Sequence, residues 1–117
     1  MGSDDDRRAE AFLPLKPRVF EALLVLSQRP LHGYALKQEL YQRTGGSIDL
    51  GPGTLYRTIR SLEADALIEE IAEPPDADDG DERRRCYRVT SLGRDVLGAE
   101  ARRLEALLAE ARGALRR

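Results

Sequence analysis

Apolar residues in this chain recur at helical spacing in four stretches and fall into two short strand-like runs near its middle. From Arg18 to Ser27 the run V-F-E-A-L-L-V-L is apolar on nearly every side. That suits a helix buried between two layers, touching both its own domain and a second body. Arg29-Pro30 stops it, and His32-Gly33 opens a second helix over Tyr34 to Arg43, with Ala35, Leu36 and Leu40 able to face inward and Thr44-Gly45-Gly46 as its end. Ile48-Asp49-Leu50 then leads to a third helix announced by Gly51-Pro52, with Gly at the cap and Pro at the first helical position. Leu55, Ile59, Leu62 and Ala66 follow at intervals of four, three and four and predict one buried stripe. Thr54, Arg57, Arg60 and Ser61 point away from it, with Tyr56 and Thr58 on the flanks.

Beyond Ala66, L-I-E-E-I-A-E reads as a strand, P-P-D-A-D-D-G-D-E as a turn-rich loop and R-R-R-C-Y-R-V-T as a second strand, together a hairpin with an acidic tip. Thr90 or Ser91 caps a last helix that runs toward Leu115, roughly 36 Å at about 1.5 Å per residue. Along it Leu97, Ala101, Leu104, Leu108, Ala111 and Leu115 recur as a heptad seam of nearly three heptads, which looks for another helix. A seam folded back over its own domain is the alternative. The expected fold is mainly α with a small β-hairpin. Three helices followed by a hairpin give the order of a winged helix-turn-helix, here with a C-terminal dimerisation helix. Residues 1–11 are acidic and polar without a period, so the division expected is a flexible arm over 1–14, a DNA-binding domain over 15–90 and a dimerisation helix over 91–117.

Charge changes the picture more than composition does. The net charge of −2 speaks against a polyanion partner, yet residues 69–82 hold eight acids and no base. Residues 83–117 hold ten arginines against four acids, and residues 16–62 hold seven bases against three acids. Two basic regions are thus masked in the sum, although solvated faces of ordinary type give the same count. With 41% apolar residues in 117 there is enough for one core, and no apolar run approaches the ~20 residues that span a bilayer. Asp4, Asp5 and Asp6 stand where a secretory signal would be basic and then apolar. The lone Cys86 rules out an internal disulfide, so a cytoplasmic protein with no membrane partner is expected.

A helix that enters a major groove needs short polar side chains near its N-terminus and arginines that reach base edges or phosphates. Thr54, Tyr56, Arg57, Thr58, Arg60 and Ser61 supply that set, and Gly53 lets a phosphate approach the helix N-terminus. Arg83, Arg84 and Arg85 at the base of the hairpin can neutralise phosphates across the adjacent minor groove. Tyr56 and Tyr34 could instead fill gaps between helices. His32, the only histidine, has no second ligand at metal spacing, and no metal or other cofactor is expected. Cys86 beside Arg85 fits a half-buried structural thiol, with redox sensing as the other reading. No triad, phosphate-cradling glycine motif or metal constellation supports catalysis.

Three phrases, P-L-H-G-Y-A-L-K-Q-E-L (Pro30 to Leu40), G-P-G-T-L-Y-R-T-I-R-S-L-E (Gly51 to Glu63) and C-Y-R-V-T-S-L-G-R (Cys86 to Arg94), resemble the PadR-like family of transcriptional regulators in this order and spacing, over roughly residues 18–98. The resemblance implies a winged-helix homodimer, usually a repressor, joined through its last and first helices, with some members released from DNA by small molecules. By position it implies DNA contacts from Tyr34, Lys37, Thr54, Tyr56 and the wing arginines. Arg57 stands where many relatives carry proline, and the chain has no tryptophan for a flat stacking site between subunits. The interface expected from the pattern comprises Phe20, Leu23 and Leu24 of the first helix and Leu97, Ala101, Leu104, Leu108, Ala111 and Leu115 of the last, and an apolar ligand could sit between them. A winged helix that binds protein rather than DNA is the rival reading. It could cover or neutralise Arg57 and Arg60, whereas a DNA reader needs them exposed.

Overall fold

The computed structural model describes residues 4–72 and 85–116. In chain order the elements are α1 (Asp4–Glu10), α2 (Pro17–Gln28), β1 (Leu31–His32), α3 (Gly33–Arg43), α4 (Pro52–Ala64), β2 (Ile68–Ile71), β3 (Cys86–Val89) and α5 (Ser91–Leu115). The three expected helices of the helix-turn-helix region are α2, α3 and α4, and the wing is β2 and β3. The acidic tip between the two strands, with Arg83 and Arg84, lies outside the described residues.

The helical periods convert into one core. α2 contributes Ala22, Leu23, Val25 and Leu26, α3 contributes Leu36 and Leu40, and α4 contributes Leu55, Ile59 and Leu62. Leu67 and Ile68, Tyr87 and Val89 close it from the sheet side, and Val96 and Ala99 from α5. Each fully buried aliphatic side chain contributes about 1.5–3 kcal/mol relative to exposure, so the interlocking of these stripes fixes how α4 is presented.

The sheet is larger than the expected hairpin. β3 pairs antiparallel with β2, Ile68 facing Val89 and Ile71 facing Cys86, and on its other edge with β1, Leu31 facing Tyr87 and His32 facing Cys86. Pro30 sets extended backbone before a two-residue strand, a length too short to show as a period. Gly33 N–H extends this pairing by donating to the Arg85 carbonyl at 3.2 Å.

Helices α3 and α4 end in the same turn. After α3, Gly46 N–H donates to Tyr41 O (2.8 Å) and Gly45 N–H to Gln42 O (3.3 Å), with Gly45 at φ 62°. After α4, Leu67 N–H donates to Leu62 O (2.9 Å) and Ala66 N–H to Glu63 O (2.9 Å), with Ala66 at φ 61°. Both are Schellman caps with a left-handed residue just past the helix. Ala66 is therefore not a fourth member of the buried stripe: it is exposed and outside the helix, and Leu67 takes the buried place.

The N-terminal residues also differ from expectation. Asp4–Glu10 forms a helix that packs on α5, with Ala9 buried and Phe12, Leu13 and Leu15 against the core. The acids of its first turn, Asp4, Asp5 and Asp6, suit the positive end of the helix dipole. One buried alanine in seven residues leaves no amphipathic period to read, which is why this segment looked like an unstructured arm.

Candidate nucleic-acid interface

The stripe of Leu55, Ile59 and Leu62 holds α4 against the core, so the opposite face is fixed in the open. Arg57, Arg60 and Ser61 are exposed there, and neither arginine forms an ion pair among the described residues. Arg57 Nη2 donates to Thr54 Oγ1 at 3.2 Å, which folds the guanidinium back over the first turn beside Gly53. A cation thus sits where the free N–H groups of the helix N-terminus already favour an anion. Thr54 and Thr58 are half-buried, and the Thr58 hydroxyl donates to the Thr54 carbonyl at 2.8 Å.

Tyr56 departs from its expected role as a phosphate contact. Its hydroxyl oxygen is buried, and its ring lies so close over Gly33 that a Cβ added there would sit 3.4 Å from Cε1. The reason is position: Tyr56 lies on the flank of α4 that meets the start of α3 and the wing, so the gap-filling alternative describes it. With Ile59, Arg60, Glu63, Arg85 and Tyr87 it lines a cavity of about 80 Å³. Burial, reinforced by the charges of Glu63 and Glu70, pushes the Tyr87 phenol up to about 12. Burial and the charge of Glu70 also raise the Glu63 carboxyl, against the pull of Arg85 and Arg60. Arg85 is exposed and 3.7 Å from Glu70, and Arg88 pairs with Glu69 at 2.8 Å, so the described wing stems are largely self-compensated.

On α3, Tyr34 is 51% exposed at the first turn, free to reach a ligand, while Lys37 lies 3.6 Å from Asp49. Cys86 is buried in β3, in the place of a structural thiol. The described residues contain no group of three or more potential metal ligands and no helix long and apolar enough to cross a membrane.

The expected interface residues separate into two sets. Leu23 is fully buried within this chain, because it points from α2 into the core; it cannot line an interface and is a correction to that set. Leu97 packs partly against the same core, and Phe20, Leu24 and Ala101 are half-buried. Leu104, Leu108, Ala111 and Leu115 are exposed, and Leu107, absent from the heptad pattern, is exposed with them.

Two other groups escaped the sequence reading. Lys16 and Arg18, at the start of α2, border a groove on the flank of α4 opposite the wing; the signal was the K-P-R triplet at the helix start. Glu100 is buried at 2% exposure, accepting from Leu15 N–H (2.9 Å) and from the Arg103 guanidinium. Only its place on the α1-facing side of α5 could have revealed it, and that side was unassigned.

Comparison with known proteins identifies the fold and the family. Transcriptional regulator Rv3488 of Mycobacterium tuberculosis is 42% identical over 83 residues, 71% of each chain. A 37.1 kDa protein of transposon TN4556 from Streptomyces fradiae is 37% identical over 79 residues, which are 68% of this chain but 20% of that longer protein. Among solved structures, a PadR family transcription regulator from Clostridium difficile R20291 superposes with a TM-score of 0.69 at 21% identity, over 86% of this chain and 99% of that one, and shares the winged-helix fold. The family model of the transcriptional regulator PadR-like family matches residues 22–99, from α2 through the buried half of α5, and the chain belongs to this family of non-enzymatic, DNA-binding transcriptional regulators.

Proposed function

We propose that this protein acts in the cytoplasm as a homodimeric repressor that reads a specific duplex operator with α4 in the major groove. The observation that carries the reading is the exposure of Arg57 and Arg60, neither in an ion pair among the described residues, on the face of α4 opposite its core stripe. An interaction module could cover or neutralise that face; the lack of a carboxylate partner for either arginine among the described residues favours the DNA reading. Arg57 and Ser61 are the candidates for base edges, Thr54 for the first phosphate, and Tyr34, Lys37, Arg60 and Arg85 for backbone contacts; Arg83 and Arg84 would add to the last group. Thr58 and Tyr56 act from behind, the one tied to the helix backbone and the other wedged against Gly33.

The distal seam of α5 packs on a second copy, so that two α4 helices face successive major grooves about 34 Å apart on a roughly palindromic site. Residues 15–90 would then be the reading head and 91–117 the connector. Phe20, Leu24, Leu104 and Leu108 leave accessible apolar surface for a small ligand that releases the dimer from DNA.

The test is a titration of the protein against duplex DNA from its own upstream region and a scrambled duplex, at two salt concentrations. Tight binding to the first that weakens with salt is expected, and Arg57→Ala should narrow the preference between the two duplexes by roughly 1–3 kcal/mol. Equal affinity for both duplexes at both salts would overturn the reading.

A further inference from the structure

The segment between α1 and α2 is held at one point and charged at the next. Leu15 N–H donates to Glu100 Oε2 at 2.9 Å, and that carboxylate is itself buried and clasped by Arg103. Lys16 and Arg18 follow directly, both exposed and in no ion pair among the described residues. They stand on one side of an open groove of about 340 Å³, and Thr54, Arg57, Thr58 and Ser61 of α4 form the other side. Leu15, Val19, Leu62 and Leu67 lie between them and support both walls. The Thr54 hydroxyl oxygen accepts from Arg57, which leaves its proton to be donated outward.

We infer that Lys16 and Arg18, together with the Thr54 hydroxyl, form a second phosphate-binding track that grips the DNA backbone on the flank of α4 opposite the wing. This inference rests on the proposal that α4 enters the major groove. A helix with its side chains is about 10–12 Å across and the groove about 12 Å wide, so a seated helix has a phosphate backbone close along each flank. Arg60 and Arg85 serve one flank, around the cavity shared with Tyr56. On the other flank no residue of α4 beyond Arg57 carries positive charge, and Lys16 and Arg18 supply what is missing. Asp65 is the groove's one carboxylate, but it caps the far end of α4 about 16 Å along the helix from Thr54, away from the end that enters the groove. Contacts of this kind position a protein without reading sequence. They work only if the segment bearing them is fixed, which is what the Leu15–Glu100 bond does.

The deciding experiment repeats the two-duplex titration at 50 and 200 mM salt with the full chain, the double variant Lys16→Ala/Arg18→Ala, and a control, Arg102→Ala/Arg112→Ala, that removes the same charge from exposed positions of α5. Each phosphate contact adds about 0.9 to the salt exponent. The double variant should therefore bind both duplexes more weakly, keep the wild-type ratio between them, and lose roughly tenfold less affinity than wild type across that salt range. A double variant that matches the wild type or the control in affinity and salt response overturns the inference while leaving the major-groove reading in place. Wild-type protein that binds neither duplex overturns that reading, and the inference falls with it.

Discussion

The two halves of α5 belong to one helix and live in opposite surroundings. From Ser91 to Arg103 the helix is built into the core of the chain: Gly93, Val96, Ala99 and Glu100 are buried, under α1, α2 and β3. From Leu104 to Arg116 every residue is exposed, Leu115 at 83%. The residues buried in the proximal half lie beside the heptad seam, whose Leu97 and Ala101 are only half-buried there, so the heptad period did not show which face the chain's own core covers. The covered half packs Gly93, Val96, Ala99 and one charge fully, with Leu92 and Leu97 partly buried, and the uncovered half leaves Leu104, Leu107, Leu108 and Leu115 exposed. The first is close packing within the chain, the second an apolar surface on which the proposed second copy would pack.

Gly93 is where the difference should be easiest to break. A Cβ there would lie 2.1 Å from the Leu67 carbonyl oxygen and 2.5 Å from Val89 Cγ2, so backbone must move. The turn it would push is the one that ends α4 and starts the wing, where Thr90 Oγ1 donates to Ala66 O (2.6 Å) and accepts from Gly93 N (3.0 Å). Gly93→Ala should cost about 3 kcal/mol or more and lower the thermal midpoint by more than about 10 °C. A drop of only a few degrees in a melting curve would mean that the buried half of α5 is loosely seated.

Glu100 comes next. Glu100→Gln keeps the shape but removes the charge that holds Arg103 and Leu15, with an expected loss of about 1–3 kcal/mol in urea unfolding at neutral pH. The Arg103 hydrogen bond, against burial and helped by Leu15 N–H, holds the Glu100 carboxyl below its ordinary 4.5. The folded chain therefore binds this proton less readily than the unfolded chain. The stabilisation is full above about 4.5 and is lost as pH falls through the lowered value, so wild type and variant should converge on acidification. A constant gap from neutral pH down to strongly acidic pH would show that the side chain matters by shape alone.

How much of this was legible follows from the two caps. The stop after α3 is written in Gly45 and Gly46, and the helix end was read from them; the stop after α4 uses Ala66 in the same left-handed conformation, and the stripe was carried one residue too far. The order of helices and strands, the stripe of α4 and the extent of α5 were all readable, because periods of several residues record burial on one face. β1 was not, since two residues have no period, nor was α1, whose contact with α5 rests on Ala9 and a loop. On α4, the exposure of Arg57 and Arg60 was legible because they oppose a clear stripe. Tyr56 was misjudged because a flank position is decided by tertiary neighbours, here Gly33, that spacing does not reveal.

Ala66 also provides a smaller test, of opposite sign. An L-residue in the left-handed region costs roughly 1–2 kcal/mol that glycine avoids, offset in part by the greater freedom of glycine in the unfolded chain. Ala66→Gly should therefore stabilise the protein by about 0.5–1 kcal/mol. An unchanged or lowered midpoint would indicate that the methyl group is not strained in this cap.

The distal half of α5 should give the least change in the protomer fold and the clearest change in assembly. Leu104 and Leu108 are 38% and 49% exposed, so aspartate at either position meets solvent in a single chain and should alter protomer stability by less than about 0.5 kcal/mol. Against a second copy, the same carboxylates would be buried without partners, a penalty of several kcal/mol at a helix seam. Leu104→Asp/Leu108→Asp should therefore sediment as a monomer at concentrations where the wild type is dimeric, with its core intact by near-ultraviolet circular dichroism. If the variant stays dimeric, the uncovered leucines are not the seam, and the half-buried Phe20 and Leu24 of α2 become the surface to change next. If it unfolds instead, the division between a covered and an uncovered half is wrong, and the distal helix belongs to the protomer core after all.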